Sequence, residues 1–376
     1  MIGEMEIVVV TQIAAGVLGA LCIAWVLWDV FQSVVVPRPV SGRYRIARNL
    51  TLGSWRLVRR WAMRAPNAGR REGLLGTFAP ALVLVLLMAW IVFLVLGYGL
   101  VIWALRDELR PVPDDLGTAI YAAGVSVLTI GFGDFVATGG PARFVMLLAA
   151  GTGLGVVALT ITYLFSLYGA FSRRELLVVT LDARAGAPPS GVSLLETHAR
   201  LGMVDELPAL FHEWEVWAAQ VLDSHLAYPI LTYFRSTHDS ESWISSLGAV
   251  LDAAVLVQTA IEDVPKAPAA MMFAMGEHLV EDIGNFFHFD VSTEPGVERF
   301  EFDQARQRLA AAGFHLTEAG AAWRGFASRR GHYARRLNEF AAFWMSPPAQ
   351  WIGDRSMLPH HDAAFDDDAE EAVALR

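Results

Sequence analysis

At 376 residues the chain exceeds one average domain, and its 54% hydrophobic content and mean hydropathy of +0.40 exclude an ordinary water-soluble protein. Cys22 is the sole cysteine, which excludes an intramolecular disulfide or a thiolate metal cluster within one chain. The net charge of −10 is unevenly placed: acids predominate after Ser172, whereas every charge from Arg38 to Arg71 is an arginine. Such a stretch would suit nucleic acid, but apolar segments of membrane-spanning length flank it, and membrane topology accounts for it better.

The first apolar run, Ile7 to Val36, exceeds the roughly 20 residues needed to cross a hydrocarbon core. It lacks a positive leading region and is too long for a cleaved signal peptide, so residues 1–36 read as a retained transmembrane helix. Asp29 near its end is expected to reach toward Arg38 or Arg43. The run carries no arginine series, which argues against a voltage sensor of the usual kind.

Residues 37–77 form a basic linker in which Tyr44, Ile46, Leu50, Trp55, Leu57 and Trp61 alternate with arginines. That mixture suits a segment lying on the inner leaflet and attracted to anionic lipid. Arginine placement predicts an inner (plasma) membrane protein with its N-terminus outside and everything after the third span cytoplasmic.

A pore-like region follows over 78–174. The second run, Phe78 to Leu105, has no charge, and the third, Ala142 to Phe171, is closed by Arg173-Arg174. Between them Asp115 to Leu128 reads as a helix too short to cross, followed by Thr129-Ile130-Gly131-Phe132-Gly133-Asp134. Irregular backbone at membrane depth is tolerated only against protein or a water-filled path, so this is a re-entrant loop. A potassium filter replaces the ion's water with rings of carbonyl oxygens from four chains. Aiming successive carbonyls at one axis needs unusual backbone angles at alternate residues, which Gly131 and Gly133 reach without a Cβ penalty. Thr129 would add hydroxyl oxygens, while Ile130 and Phe132 would point into protein.

On the helix–pore helix–TIGFGD–helix arrangement, residues 78–174 resemble the potassium channel family, and more closely its bacterial type with one pore loop per subunit. The resemblance implies a homotetramer with potassium ions in a filter lined by Thr129, Ile130, Gly131, Phe132 and Gly133, and no organic cofactor. It places Asp134 at the outer edge, bonded to an aromatic donor on the pore helix, for which Tyr121 has the expected spacing. The chain departs from the family at Phe132 (commonly tyrosine), Ala122 (tryptophan in several relatives), Leu128 (often threonine) and Val125 (often an acid). These departures make the filter's backing mainly apolar.

Asp107, Glu108, Asp114 and Asp115 suit either a cation-concentrating outer mouth or simple loop solubility. In the third span, Gly151, Gly153 and Gly155 suit either close helix packing or a gating hinge, with Gly153 and Gly155 at the position where inner helices of relatives bend. Ile161 and Phe165, one turn apart, are candidate gate residues that would close the path by dewetting.

Beyond it, Leu176 to Leu181 reads as a short β-like stretch within a linker over 175–192 that ends in Gly186-Ala187-Pro188-Pro189-Ser190-Gly191. A helical cytoplasmic regulatory or assembly domain spans 193–361, with helices near Ser193–Leu201, Val204–Leu226, Ser242–Ile261, Ala269–Phe287, Phe302–Ala312 and Ala319–Phe343. Ser193 and Glu196 suggest a capping box. His278, Glu281, Asp282 and Asn285 share a face that reads as solvated, and His225 and the His238–Glu241 turn read as structural. Trp214, Trp217, Trp243, Met271, Met272 and Met275 read as core or subunit contacts. Residues 362–376 form an acidic tail expected to be disordered. No Walker loop, dinucleotide fingerprint or HExxH motif appears, so no enzyme is expected.

The expected fold class is therefore an all-α membrane protein, a tetrameric pore-loop channel plus a helical cytoplasmic domain. The expected function is passive potassium conduction gated through that domain. The alternatives are a less selective cation channel or a non-conducting membrane sensor that keeps the pore fold.

Overall fold

The three apolar runs fold into helices long and apolar enough to cross a membrane, and the chain is an all-α membrane protein. The computed structural model describes residues 2–36, 45–237, 241–289 and 294–352. Arg38, Arg43, His238 to Ser240 and the acidic tail 362–376 lie outside the described residues. Two compact units divide the chain, Met1–Tyr168 and Gly169–Arg376.

In the first unit α1 (Ile2–Val30), extended by a π-helical turn at Phe31–Val35, packs along α3 (Ala68–Ala104). Lipid tails are as apolar as leucine, so close backbone approach and hydrogen bonds hold such helices together rather than burial from water. Gly19 and Gly97 provide that approach. A Cβ on Gly19 would lie 2.5 Å from the Gly97 carbonyl oxygen, and one on Gly97 would lie 3.1 Å from that of Gly19. Between α1 and α3, α2 (Ile46–Met63) buries Ile46, Ala47, Trp55 and Ala62, with the Trp55 and Phe78 rings 5.1 Å apart.

Asp29 joins all three helices. Its Oδ2 accepts 2.8 Å from Trp90 Nε1 on α3 and 3.2 Å from the Ala47 backbone N–H in the first turn of α2. Asp29 is 2% exposed, so it does not reach out to solvent as its position near a helix end suggests. Its cationic neighbour is Arg45, with Nε 4.0 Å from Oδ1. A carboxylate at a helix N-terminus is stabilised by the free N–H groups there, which suits a buried acid at this point.

After α3 a two-residue strand β1 (Leu109–Arg110) pairs antiparallel with β2 (Val136–Ala137), Leu109 opposite Ala137. This pair closes the loop that holds the short helix α4 (Leu116–Val127), and α5 (Gly140–Ala185) follows. Leu176 to Leu181 is helical, not β-like. Val178, Leu181 and Ala185 share a buried face, and no breaker intervenes before Gly186, whose φ is +83°.

The second unit comprises the end of α5 and α6 (Gly191–Arg200), α7 (Leu207–Ala227), α8 (Trp243–Thr259), α9 (Lys266–Phe287), α10 (Arg299–Ala311), α11 (Ala319–Arg330) and α12 (Ala334–Phe343). The expected single helix over Ala319–Phe343 is thus two, broken at Gly331–Tyr333. Ser190 rather than Ser193 caps α6, accepting from the Ser193 N–H, and Glu196 instead pairs with Arg308 at 2.6 Å. Helix α8 is the centre of the unit, buried from Trp243 to Val257 and packed against α6, α9, α11 and α12.

A buried ion is tolerated where an opposite charge and hydrogen bonds hold it. Arg330, fully buried, bonds Asp252 Oδ1 at 2.7 Å, the Trp351 carbonyl at 2.7 Å and the Pro295 carbonyl, while the Tyr333 hydroxyl donates to Asp252 Oδ1 at 2.6 Å.

Candidate functional site

Helix α4 starts on a capping bond, Asp115 Oδ1 accepting 2.7 Å from the Thr118 N–H, which holds the Asp115 carboxyl below the usual carboxylate range. At its other end Leu128, Thr129 and Ile130 N–H groups each donate at 2.9 Å to carbonyls of Gly124, Ser126 and Val125. The last carbonyls of a helix carry partial negative charge, so this end favours a cation.

Thr129 to Asp134 then leaves the helix. Thr129, Gly131 and Gly133 have φ of 54°, 66° and 79°, whereas Ile130 and Phe132 lie outside the left-handed region. In a plain extended chain successive carbonyls alternate sides, and a left-handed residue at every second position turns them toward one side. For Thr129, β-branched, this conformation is an outlier costing roughly 1–3 kcal/mol. The sequence reading assigned this backbone only to the two glycines. The i, i+2, i+4 spacing was the signal that Thr129 belongs with them.

Residues Leu128 to Asp134 are exposed, and a Cβ on Gly131 or Gly133 would meet nothing within 4 Å. Among the described residues no hydrogen bond within the chain takes up the carbonyls of Thr129 to Gly133. Five uncommitted carbonyls in succession are oxygen donors able to replace water around a cation. Ile130 and Phe132 are 49% and 68% exposed, so within one chain they do not pack into protein.

The backing of this segment is apolar, with Ala122 and Val125 buried at 1% and 9%. Tyr121 lies close enough to Asp134 for the phenol and carboxylate to interact, and its ring meets Phe135 edge-on at 6.2 Å. Helix α5 supports α4 from behind. A Cβ on Gly153 would lie 1.9 Å from the Val127 carbonyl oxygen, whereas Gly151 and Gly155 have no neighbour at that position. Thr152 and Tyr98 hydroxyls, 2.9 Å apart, tie α5 to α3. Helix α5 passes Gly153 and Gly155 without a break. Further along it, Ile161 and Phe165 are 50% and 75% exposed.

Two of the loop acids have structural work. Glu108 accepts 2.9 Å from the Ala142 N–H in the first turn of α5, and Asp115 caps α4. Arg106 stacks over Trp103 at 4.5 Å, and Arg110 donates to the carbonyls of Asp107 and Leu109.

In the helical unit His278 pairs with Asp282 at 3.5 Å, and Asn285 accepts from Arg336 at 3.0 Å. Among the described residues no group of three or more His, Cys, Asp or Glu is placed to hold a metal. His225 is buried: its Nδ1 lies 2.8 Å from the Val221 carbonyl and its Nε2 3.1 Å from Arg174 Nη1. With Nδ1 donating, Nε2 is the acceptor for Arg174. Burial, and then the Arg174 charge, push His225 well below the usual histidine range. Arg174 also bonds Glu175 and the Leu231 and Phe234 carbonyls, and its own carbonyl accepts from Trp217. Trp214, Trp217, Trp243 and Met272 are core residues, while Met271 is exposed.

Sequence reasoning missed the Asp29–Trp90 and Gly19–Gly97 contacts. An acid and two glycines inside apolar runs were the available signals, but they name no partner.

A family model described as ion channel matches residues 81–169. An uncharacterized membrane protein of Bacillus subtilis (strain 168), YdjJ, is 24% identical over 221 residues, covering 58% of this chain and 62% of the relative. The chain thus spans under two thirds of that relative's length. No solved structure matches the chain.

Proposed function

We propose that, with an ion-channel segment at 81–169, the chain is one subunit of a homotetrameric potassium-selective channel whose filter is Thr129 to Gly133. One observation carries this reading: alternate left-handed backbone at Thr129, Gly131 and Gly133 in an exposed run whose carbonyls accept no bond within the described chain. Five such carbonyls on one chain solvate only one side of an ion, and four chains around an axis complete the rings. The same assembly covers Ile130 and Phe132, whose exposure in a single chain is otherwise unfavourable. The proximity of Tyr121 to Asp134 supports a role for both in holding the outer edge of the filter.

Phe165, highly exposed on α5, is our gate residue, with Ile161 one turn above it. Helix α5 runs unbroken past Phe165 to Arg174. Gly153 serves packing in this reading, which leaves Gly155 as the candidate hinge. Orientation with the N-terminus outside and the helical unit cytoplasmic follows from the arginines between the first two spans.

The test is ion uptake by proteoliposomes holding the full chain. Barium-blocked uptake of potassium in preference to sodium supports the reading. Equal uptake of both ions points to a less selective cation channel. No uptake from an intact tetramer points to a non-conducting sensor.

A further inference from the structure

The first unit carries a cationic surface that the conduction pathway does not use. Arg56 and Arg60 on α2 and Arg64 at its C-terminal end are exposed, and among the described residues none of their side chains has an ion pair or hydrogen bond. The opposite face of α2 is committed to α3 through Trp55 and Ala62, 3% and 1% exposed. Between these two faces stand Leu57 and Trp61, 49% and 56% exposed. The helix therefore has one face on protein, one apolar edge and one cationic face.

Its depth is fixed by the contact between Trp55 and Phe78, because Phe78 begins the uncharged stretch of α3. The second half of α2, from Trp55 onward, thus lies level with the start of the spanning run, where hydrocarbon gives way to headgroups. The first turn of α2 lies deeper, where Asp29 bonds both the Ala47 N–H and Trp90 within α3, so the second half of the helix is the part at this level. At that level an exposed tryptophan and leucine belong in the acyl boundary, and unpaired arginines belong among phosphates.

We propose that the outward face of α2 binds anionic phospholipid of the leaflet it borders, with Arg56, Arg60 and Arg64 on the phosphates and Trp61 and Leu57 in the acyl boundary. An acidic soluble partner would satisfy the arginines but leave Leu57 and Trp61 uncovered. The inference rests on the membrane-spanning reading of the first unit and not on ion selectivity.

The experiment is native mass spectrometry of the purified full chain in detergent with equal amounts of phosphatidylglycerol and phosphatidylcholine. Severalfold more phosphatidylglycerol than phosphatidylcholine should remain bound per chain. The Arg56→Gln/Arg60→Gln/Arg64→Gln variant should lose that excess, and the corresponding triple lysine variant should keep most of it. Equal retention of the two lipids by the unaltered chain overturns the proposal, whatever the variants do. So does an undiminished excess in a folded triple-Gln variant. Equal retention of the lipids together with binding of polyglutamate would assign the face to an acidic protein partner instead. Ion uptake plays no part in this readout, so a chain that fails to conduct can still bear the proposal out.

Discussion

Gly153 approaches Val127 so closely that a Cβ built on it would lie 1.9 Å from the Val127 carbonyl oxygen and 3.0 Å from Val127 Cγ1. Val127 ends the short helix, and the segment proposed as the filter begins two residues later at Thr129. The spanning helix α5 is thus pressed against the base from which the filter springs. A methyl group here must move backbone, which costs about 1–3 kcal/mol and displaces the filter. Gly153→Ala should therefore abolish potassium uptake, whereas Gly151→Ala, with open space at the same atom, should leave uptake intact. Uptake assays on the two variants side by side check this.

Asp29 to Trp90 is the corresponding joint on the other side of α3. Asp29→Ala leaves the Trp90 and Ala47 N–H groups buried without their acceptor, at a cost of about 1–3 kcal/mol. The variant should melt at lower temperature in detergent, and Asp29→Asn, which keeps an acceptor oxygen, should lose less. Equal melting of Asp29→Ala and the parent would show that the joint contributes nothing.

Tyr121→Phe removes the donor that faces Asp134. The outer edge of the filter then loses a fixed point, and potassium currents through the variant should decay faster or discriminate less against sodium. Single-channel recording in planar bilayers reads both quantities. Asp134→Asn should behave in the same direction, since a neutral amide accepts the phenol more weakly than a carboxylate does.

His225 sets a pH dependence for the helical unit. It is held neutral below its ordinary value of 6.5, packed beside Arg174 from α5, with Glu175 on the far side of that guanidinium and the Trp243 ring 5.2 Å away. In the unfolded chain the imidazole takes up a proton near pH 6.5, whereas the folded unit resists doing so. Stability is then fully present above about pH 6.5 and falls as pH drops toward the depressed folded value. Melting temperatures should fall between pH 7 and pH 5, and His225→Gln should flatten that slope.

The three spans and the short helix were legible because uncharged runs of that length have few other fates. The irregular loop after the short helix was legible because a pair of alternating glycines stands behind a half-length helix. What escaped depended on partners remote in sequence. Asp29 lies 61 residues from Trp90, and apolar runs give no register between helices. Leu176 to Leu181 was misread because its leucines and valines suit a strand, while the helical face through Val178, Leu181 and Ala185 emerges only when its burial is known. The cap of α6 was misassigned by three residues, since Ser190 and Ser193 are equally good capping residues by type.

The central claim is selective potassium conduction through carbonyls that the chain itself leaves unpaired. The most direct measurement is the reversal potential of the purified full chain in a planar bilayer, with potassium on one side and sodium on the other. A reversal potential driven strongly toward the potassium equilibrium potential, and lost in Gly131→Ala, is the predicted result. A reversal potential near zero under the same gradient, from channels that open and close normally, would contradict it.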